Sequence, residues 1–147
     1  MITTSNEVFI AASAQRIFEL ASATERWPSI LPHYRCVNIL QEDGAQRTVE
    51  MFARRDFIPV YWVAQQWNDA RQPHIRFRHV RGWTKGMDVE WHFESLAGGT
   101  RVRIVHALDF QFPIAREFLG KHVIGNFFVH NIATKTLGCI KQLAERE

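Results

Sequence analysis

The chain has 147 residues, an ordinary hydrophobic content, a formal charge of +3 at pH 7, and eleven Phe, five Trp and two Tyr. That length suffices for one cored domain, residues 1–147, and so small a charge makes no electrostatic case for a nucleic-acid partner. The opening MITTSNEVFI lacks a signal-peptide pattern, no run approaches the roughly 20 apolar residues of a membrane span, and Cys36 and Cys139 show no metal or redox spacing, so a cytoplasmic setting is expected.

Residues 2–10 read as a first strand with Val8 and Ile10 inward. Ser13 is an N-cap candidate for a short helix over residues 14–21, and a second helical or irregular piece follows Trp27-Pro28 and ends near Pro32. From Tyr34 the apolar period becomes two. Strands are predicted over 34–41, 48–57, 60–68, 74–81, 87–94 and 100–110, joined by turns such as Glu42-Asp43-Gly44 and Gly98-Gly99. Short connections between successive strands imply an antiparallel meander with one covered face.

From Pro113 to Glu145 the spacing alternates between three and four. Ile114, Phe118, His122, Gly125, Val129, Ile132, Thr136, Ile140 and Leu143 fall on one stripe of a predicted helix. Nothing else in the chain is long enough to cover the sheet. The fold class is therefore α+β: a curved antiparallel sheet of about seven strands, two short helices and a long C-terminal helix.

Val8-Phe9-Ile10-Ala11-Ala12, Ile17-Phe18-Glu19-Leu20, Trp27-Pro28, Leu31-Pro32-His33-Tyr34, Val37-Asn38-Ile39-Leu40, Gly98-Gly99-Thr100-Arg101-Val102 and Leu108-Asp109-Phe110-Gln111-Phe112 occur in this order. This succession resembles the START-like helix-grip (SRPBCC) superfamily, and most closely the branch of polyketide cyclase/aromatases and coenzyme-Q-binding proteins. The resemblance implies an apolar cavity between the sheet and the C-terminal helix. Some members of the branch cyclise and dehydrate poly-β-keto chains, others carry quinones or lipids, and one relative acts on ribosomal subunits. In the aromatase/cyclases a Tyr at the start of the second strand and a Trp-x-Ser-x-Arg pattern on the fourth line the pocket. Tyr34 and Trp62 match that pattern, whereas Ala64 and Gln66 stand where it has Ser and Arg.

Strand parity places further polar groups on the inner face. Arg55 follows Met51 and Ala53, His79 follows Ile75 and Phe77, His106 follows Ile104, and His122 lies on the helix stripe. A mostly apolar pocket with a few convergent polar groups is the usual form of a small-molecule site. The expected catalytic set is Tyr34 as hydrogen-bond donor to a carbonyl, His106 as proton shuttle and Arg55 as enolate stabiliser. Trp62, Gln66, His79, Trp91, Phe118 and His122 are the expected ligand-binding set. Against this, a histidine on an apolar strand is commonly a hydrogen-bonded core residue, and Arg55 near a strand end suits the solvated rim equally well.

No metal is expected, because the histidines lack tight ligand spacing on any one element, and no cofactor is implied. The expected partner is an apolar or aromatic small molecule such as a polyketide, quinone or lipid. A transient membrane touch through Trp83 and a homodimer through the all-round apolar segment at Val123, Ile124 and Phe127 stay open. The expected function is a polyketide cyclase/dehydrase using acid–base and hydrogen-bond catalysis. A non-catalytic lipid or quinone carrier is the alternative. A ribosome-associated domain, suggested by the Arg76–Lys85 basic stretch, is a third.

Overall fold

A computed structural model describes residues 2–82, 84–108 and 130–146. Strand β1 (Ile2–Ile10) leads into α1 (Ala14–Ser22), a 3-10 turn (Thr24–Arg26) and α2 (Trp27–Ile30). Strands β2 (Tyr34–Asp43), β3 (Gln46–Arg55), β4 (Ile58–Asp69), β5 (His74–Gly82), β6 (Asp88–Leu96) and β7 (Gly99–Leu108) follow, and α3 (His130–Ala144) closes the described chain. The strands form one antiparallel seven-stranded sheet in the order β1-β7-β6-β5-β4-β3-β2. β2 to β7 are thus a meander, and the α1–α2 connection carries the chain from one sheet edge to the other. This is the helix-grip architecture. No helix among the described residues is long and apolar enough to cross a membrane.

Local chemistry explains the element boundaries. Ser13 caps α1 by accepting a hydrogen bond from the Arg16 N–H at 3.2 Å, which satisfies one orphan donor of the first turn. Pro28 sits in the first turn of α2, where no N–H is needed. Alternation along the strands sends Val49, Met51 and Ala53, then Ile75 and Phe77, then Val89 and Trp91, then Val102 and Ile104 into the core. The alternation stops short of Phe57, which is 88% exposed beside Asp56 in the β3–β4 turn. A register shift between Val63 and Ala64 sets Trp62 opposite Gly82. Gly82 has φ +105°, and a Cβ there would stand 2.4 Å from the Tyr61 carbonyl oxygen, so only glycine fits this close approach.

The predicted C-terminal helix is present as α3, and the expected stripe is buried at Ile132, Thr136 and Ile140. Ala133, Leu137 and Ala144 complete that face, while Leu143 is only half-buried. The stretch from Pro113 to Val129, including Phe118, His122 and Gly125, lies outside the described residues. The C-terminal end of α3 is tied down by charge. Arg16 donates to the carbonyls of Ala144 and Leu143 at 3.1 and 3.3 Å, a cation satisfying the last carbonyls of a helix. Lys141 donates to the Phe9 carbonyl at 2.7 Å, and the Glu145 carboxylate accepts the Ala11 N–H at 2.8 Å. At the other end, the Asn6 amide of β1 donates to Thr134 Oγ1 at 2.9 Å. These bonds fix the helix over the inner face of the sheet near β1.

Candidate functional site

The register lines up the site across five strands. Met51 faces Trp62, Ala64 faces His79, Phe77 faces Val89, and Val89 faces His106. All these side chains point to the covered face. Trp27 enters from α2, Tyr34 from the start of β2, Thr84 and Met87 from the β5–β6 connection, and Ile132, Ala133 and Thr136 from α3. Together they bound a cavity of about 70 Å³, room for a few waters at roughly 10–15 Å³ each.

Aromatic rings make most of the wall. Trp27 meets Tyr34 edge-on at 4.9 Å between centroids and lies 6.2 Å from both Phe77 and Trp91. Tyr34 meets Trp62 edge-on at 6.0 Å, and Trp62 stacks on His79 at 5.4 Å with 13° between planes. Offset and edge-on contacts are the preferred arrangements of packed rings, so each ring's orientation in the wall is set by its neighbours.

The polar groups fall into two sets. His79 Nδ1 is 2.6 Å from Thr84 Oγ1. Thr136 donates to the Ile132 carbonyl at 2.8 Å, and its oxygen lies 2.9 Å from His33 Nε2. With its own proton spent on Ile132, the Thr136 oxygen can only accept, which fixes His33 as the Nε2–H donor. The second set is unpartnered. Trp27 Nε1 and His106 Nδ1 are buried and have no hydrogen-bond partner among the described residues. Burying a polar atom without a partner costs free energy. Of the four such atoms among the described residues, Asn6 Oδ1 and Asn131 Oδ1 lie away from the cavity, whereas Trp27 Nε1 and His106 Nδ1 belong to its lining.

Burial governs the protonation states. It pulls His106 down to about 3, and it pulls His79 to about 3 with the neighbouring His106 adding to the effect. His33 falls to about 4, through burial first and the Lys135 charge second. Burial pushes the Tyr34 phenol above its ordinary value, partly offset by the Thr136 hydroxyl. Near neutral pH the site therefore holds neutral imidazoles and a protonated phenol. A histidine titrating near 6.5, as the sequence suggested for a proton shuttle, is not what this cavity contains.

Of the residues singled out from sequence, Tyr34, Trp62, His79, Trp91 and His106 come together on the cavity wall. Two others do not. Arg55 sits beside the β3–β4 turn, where it pairs with Asp56 at 2.6 Å, because its strand ends before the inner face continues. Gln66 is fully buried, but its amide is consumed beneath the α1–α2 connection. It accepts from Thr24 Oγ1 at 2.8 Å and donates to the Ser22 carbonyl and Asn68 Oδ1, each at 2.9 Å. Phe118, His122 and Trp83 lie outside the described residues. Sequence reasoning missed Trp27, Thr84 and His33. Trp27 and His33 belong to the irregular connection before β2, where no periodicity assigns a face. Thr84 follows a strand end and is likewise invisible to parity.

Known proteins share this arrangement of sheet and helix. Residues 10–125 match the family described as polyketide cyclase / dehydrase and lipid transport. A Streptomyces cyaneus protein that carries the provisional name polyketide cyclase is 26% identical over 102 residues, covering 67% of each chain. The Zhui aromatase/cyclase from Streptomyces sp. R1128 superposes with TM-score 0.81 at 19% identity, covering 99% of this chain and 94% of the other. A protein from Thermus thermophilus gives TM-score 0.82 at 21% identity, covering 99% and 100%. The two superpositions speak for the fold, and the family match spans most of the sequence. The chain belongs to the polyketide cyclase/dehydrase and lipid transport family.

Proposed function

We propose that the chain binds an aromatic or poly-β-keto small molecule in this cavity and acts on it as a cyclase/dehydrase without a cofactor. The observation that carries the reading is the buried, unpartnered His106 Nδ1 in an otherwise aromatic wall. A group left unpaired in the free protein, on a residue that lines an apolar cavity, gains a partner if a small ring movement turns it toward a ligand.

The chemistry follows from the protonation states. Tyr34, kept as a phenol by burial, donates its O–H to a substrate carbonyl and polarises it. Neutral His106 accepts a proton from the methylene between two carbonyls, leaving an enolate beside an imidazolium. Opposite charges in a dry site favour each other, so the enolate itself raises the basicity of His106 as the proton moves. The enolate carbon attacks a second carbonyl of the chain, and the imidazolium protonates the resulting alkoxide, which returns His106 to its neutral form. His106 then removes the remaining α-proton and passes it to the departing hydroxyl, so that water leaves as the C=C bond forms. His79 is held by Thr84 and Trp62 and orients the wall.

A second reading is favoured by a different observation. No Asp, Glu, Lys or Arg is among the described residues that line the cavity, and Ala64 and Gln66 replace the Ser and Arg of the aromatase pattern. An apolar, uncharged cavity suits a carrier of a quinone or lipid that performs no reaction. The ribosome reading loses ground, since Arg76 and Arg78 converge on Asp88 at 3.2 and 2.5 Å rather than standing unpaired.

At about 70 Å³ the cavity is well below the roughly 300 Å³ of common ligand sites, so a polycyclic ligand displaces part of the wall on binding. The test is incubation with a reactive poly-β-ketone surrogate, alongside native mass spectrometry of the freshly purified protein. The wild type should redirect the product distribution, and Tyr34→Phe and His106→Leu should each lower the directed product by about 100-fold. Unchanged products in both variants overturn the catalytic reading, and a co-purifying apolar molecule without turnover selects the carrier.

A further inference from the structure

We propose that His74, Glu90 and His92 form a binding site for one divalent transition-metal ion on the outer face of the sheet. The ligand atoms of these three side chains lie within 4.8 Å of one another, the one such group among the described residues. His74 Nε2 is 3.2 Å from one Glu90 oxygen, and His92 Nε2 is 4.0 Å from the other. Two donors about 2.05 Å from a tetrahedral ion stand roughly 3.3 Å apart. The His74–Glu90 separation already has that value, and small rotations of the His92 and Glu90 side chains bring in the third ligand.

The backbone sets the arrangement. His74 on β5 and His92 on β6 are directly opposed in the antiparallel register, with ring centroids 5.3 Å apart. Glu90 lies two residues before His92 and so shares its face. The linear sequence conceals the group, because its ligands come from two strands and show none of the spacing seen when one helix supplies them. All three are half-buried on the side of the sheet away from the cavity, so the proposal is independent of what the cavity binds.

Two imidazoles and one carboxylate select zinc, copper or nickel over magnesium and calcium, which prefer all-oxygen sites. Three protein ligands leave a fourth position for water or a small anion. The surrounding charges act in both directions. Arg76 stands opposite Glu90, shares the Asp88 carboxylate with Arg78 and lies over the Trp67 ring at 5.0 Å, so a positive charge remains beside the site while Glu90 attracts the ion. Arg103 stands opposite His92 on β7 and opposes the bound cation.

The experiment is calorimetric titration of the untagged full chain with Zn²⁺ at pH 7.5, repeated with Co²⁺ to read ligand-field absorption. One equivalent should bind, and His74→Ala, His92→Ala and Glu90→Gln should each weaken binding by more than about tenfold, since loss of outer-shell partners alone costs that much. Arg103→Gln should tighten it. Melting curves establish that each variant is folded, and Glu90→Gln carries the test if either histidine variant is not. Absence of a one-site isotherm in the wild type overturns the proposal, as does affinity unchanged in all the folded ligand variants.

Discussion

His106 shows how one side chain can weaken the fold and equip the site. Its ring is buried in the cavity wall, its Nδ1 has no partner among the described residues, and burial holds it neutral. An unsatisfied buried polar atom costs about 1–3 kcal/mol, which a same-sized apolar side chain does not incur. His106→Leu is therefore expected to raise unfolding free energy by about 1 kcal/mol in urea melts while lowering directed turnover. A loss of stability beyond about 1 kcal/mol would mean that the imidazole is satisfied by groups not yet identified. Parity put His106 and His79 on the inner face, whereas Tyr34, at the start of the edge strand β2, was singled out through the family resemblance. For Arg55 parity ran out at the strand end, and for Gln66 it gave the buried face but not the partners. A strand end changes direction within one residue, and a buried amide is committed by whichever neighbours arrive from elsewhere in the chain.

At the scale of an element, the closing helix is tied at its ends by Asn6, Arg16, Lys141 and Glu145, and at the cavity wall by one hydroxyl. Thr136 accepts from His33, donates to Ile132 one turn back and stands beside the Tyr34 phenol. It thereby joins α3 to the start of β2 at the cavity wall. Thr136→Val keeps the shape and removes the hydroxyl beside His33 and the Tyr34 phenol, leaving His33 only the Ile132 backbone. The expected cost is about 2 kcal/mol, with Thr136→Ser recovering most of it. A Thr136→Val variant within about 0.5 kcal/mol of wild type in urea would show that the Thr136 hydroxyl contributes nothing to holding the helix. The helix itself was legible from its spacing of three and four, and β3 to β7 from their alternation. The connection from α1 to β2 was not. Trp27 opens the four-residue α2 and His33 lies in the turn before β2, both too short to show a repeating face, so only tertiary contact shows that one enters the cavity wall and the other ties the helix.

For the whole molecule, the decisive quantity is the number of histidines folded away uncharged. His33, His79 and His106 are held at about 4, 3 and 3, against an ordinary 6.5. Below pH 6.5 the unfolded chain takes up protons at these three positions while the native chain does not, so acid favours unfolding. The stability they permit is complete above about pH 6.5 and falls as pH drops toward their folded values of 3–4. Each group contributes up to about 1.4 kcal/mol per pH unit, so three together set an upper slope of roughly 4 kcal/mol per unit. Against a total of about 5–15 kcal/mol for a domain, this predicts acid unfolding near pH 5, before most carboxylates protonate. Urea midpoints at pH 7.5 and 5.5 measure it directly, with a marked drop expected at the lower pH. His106→Leu should reduce that drop by about one third, because one of three proton-binding positions has gone. A midpoint that does not move between the two pH values would mean that these histidines reach water in the native state, and the dry cavity on which the cyclisation chemistry depends would be lost with them.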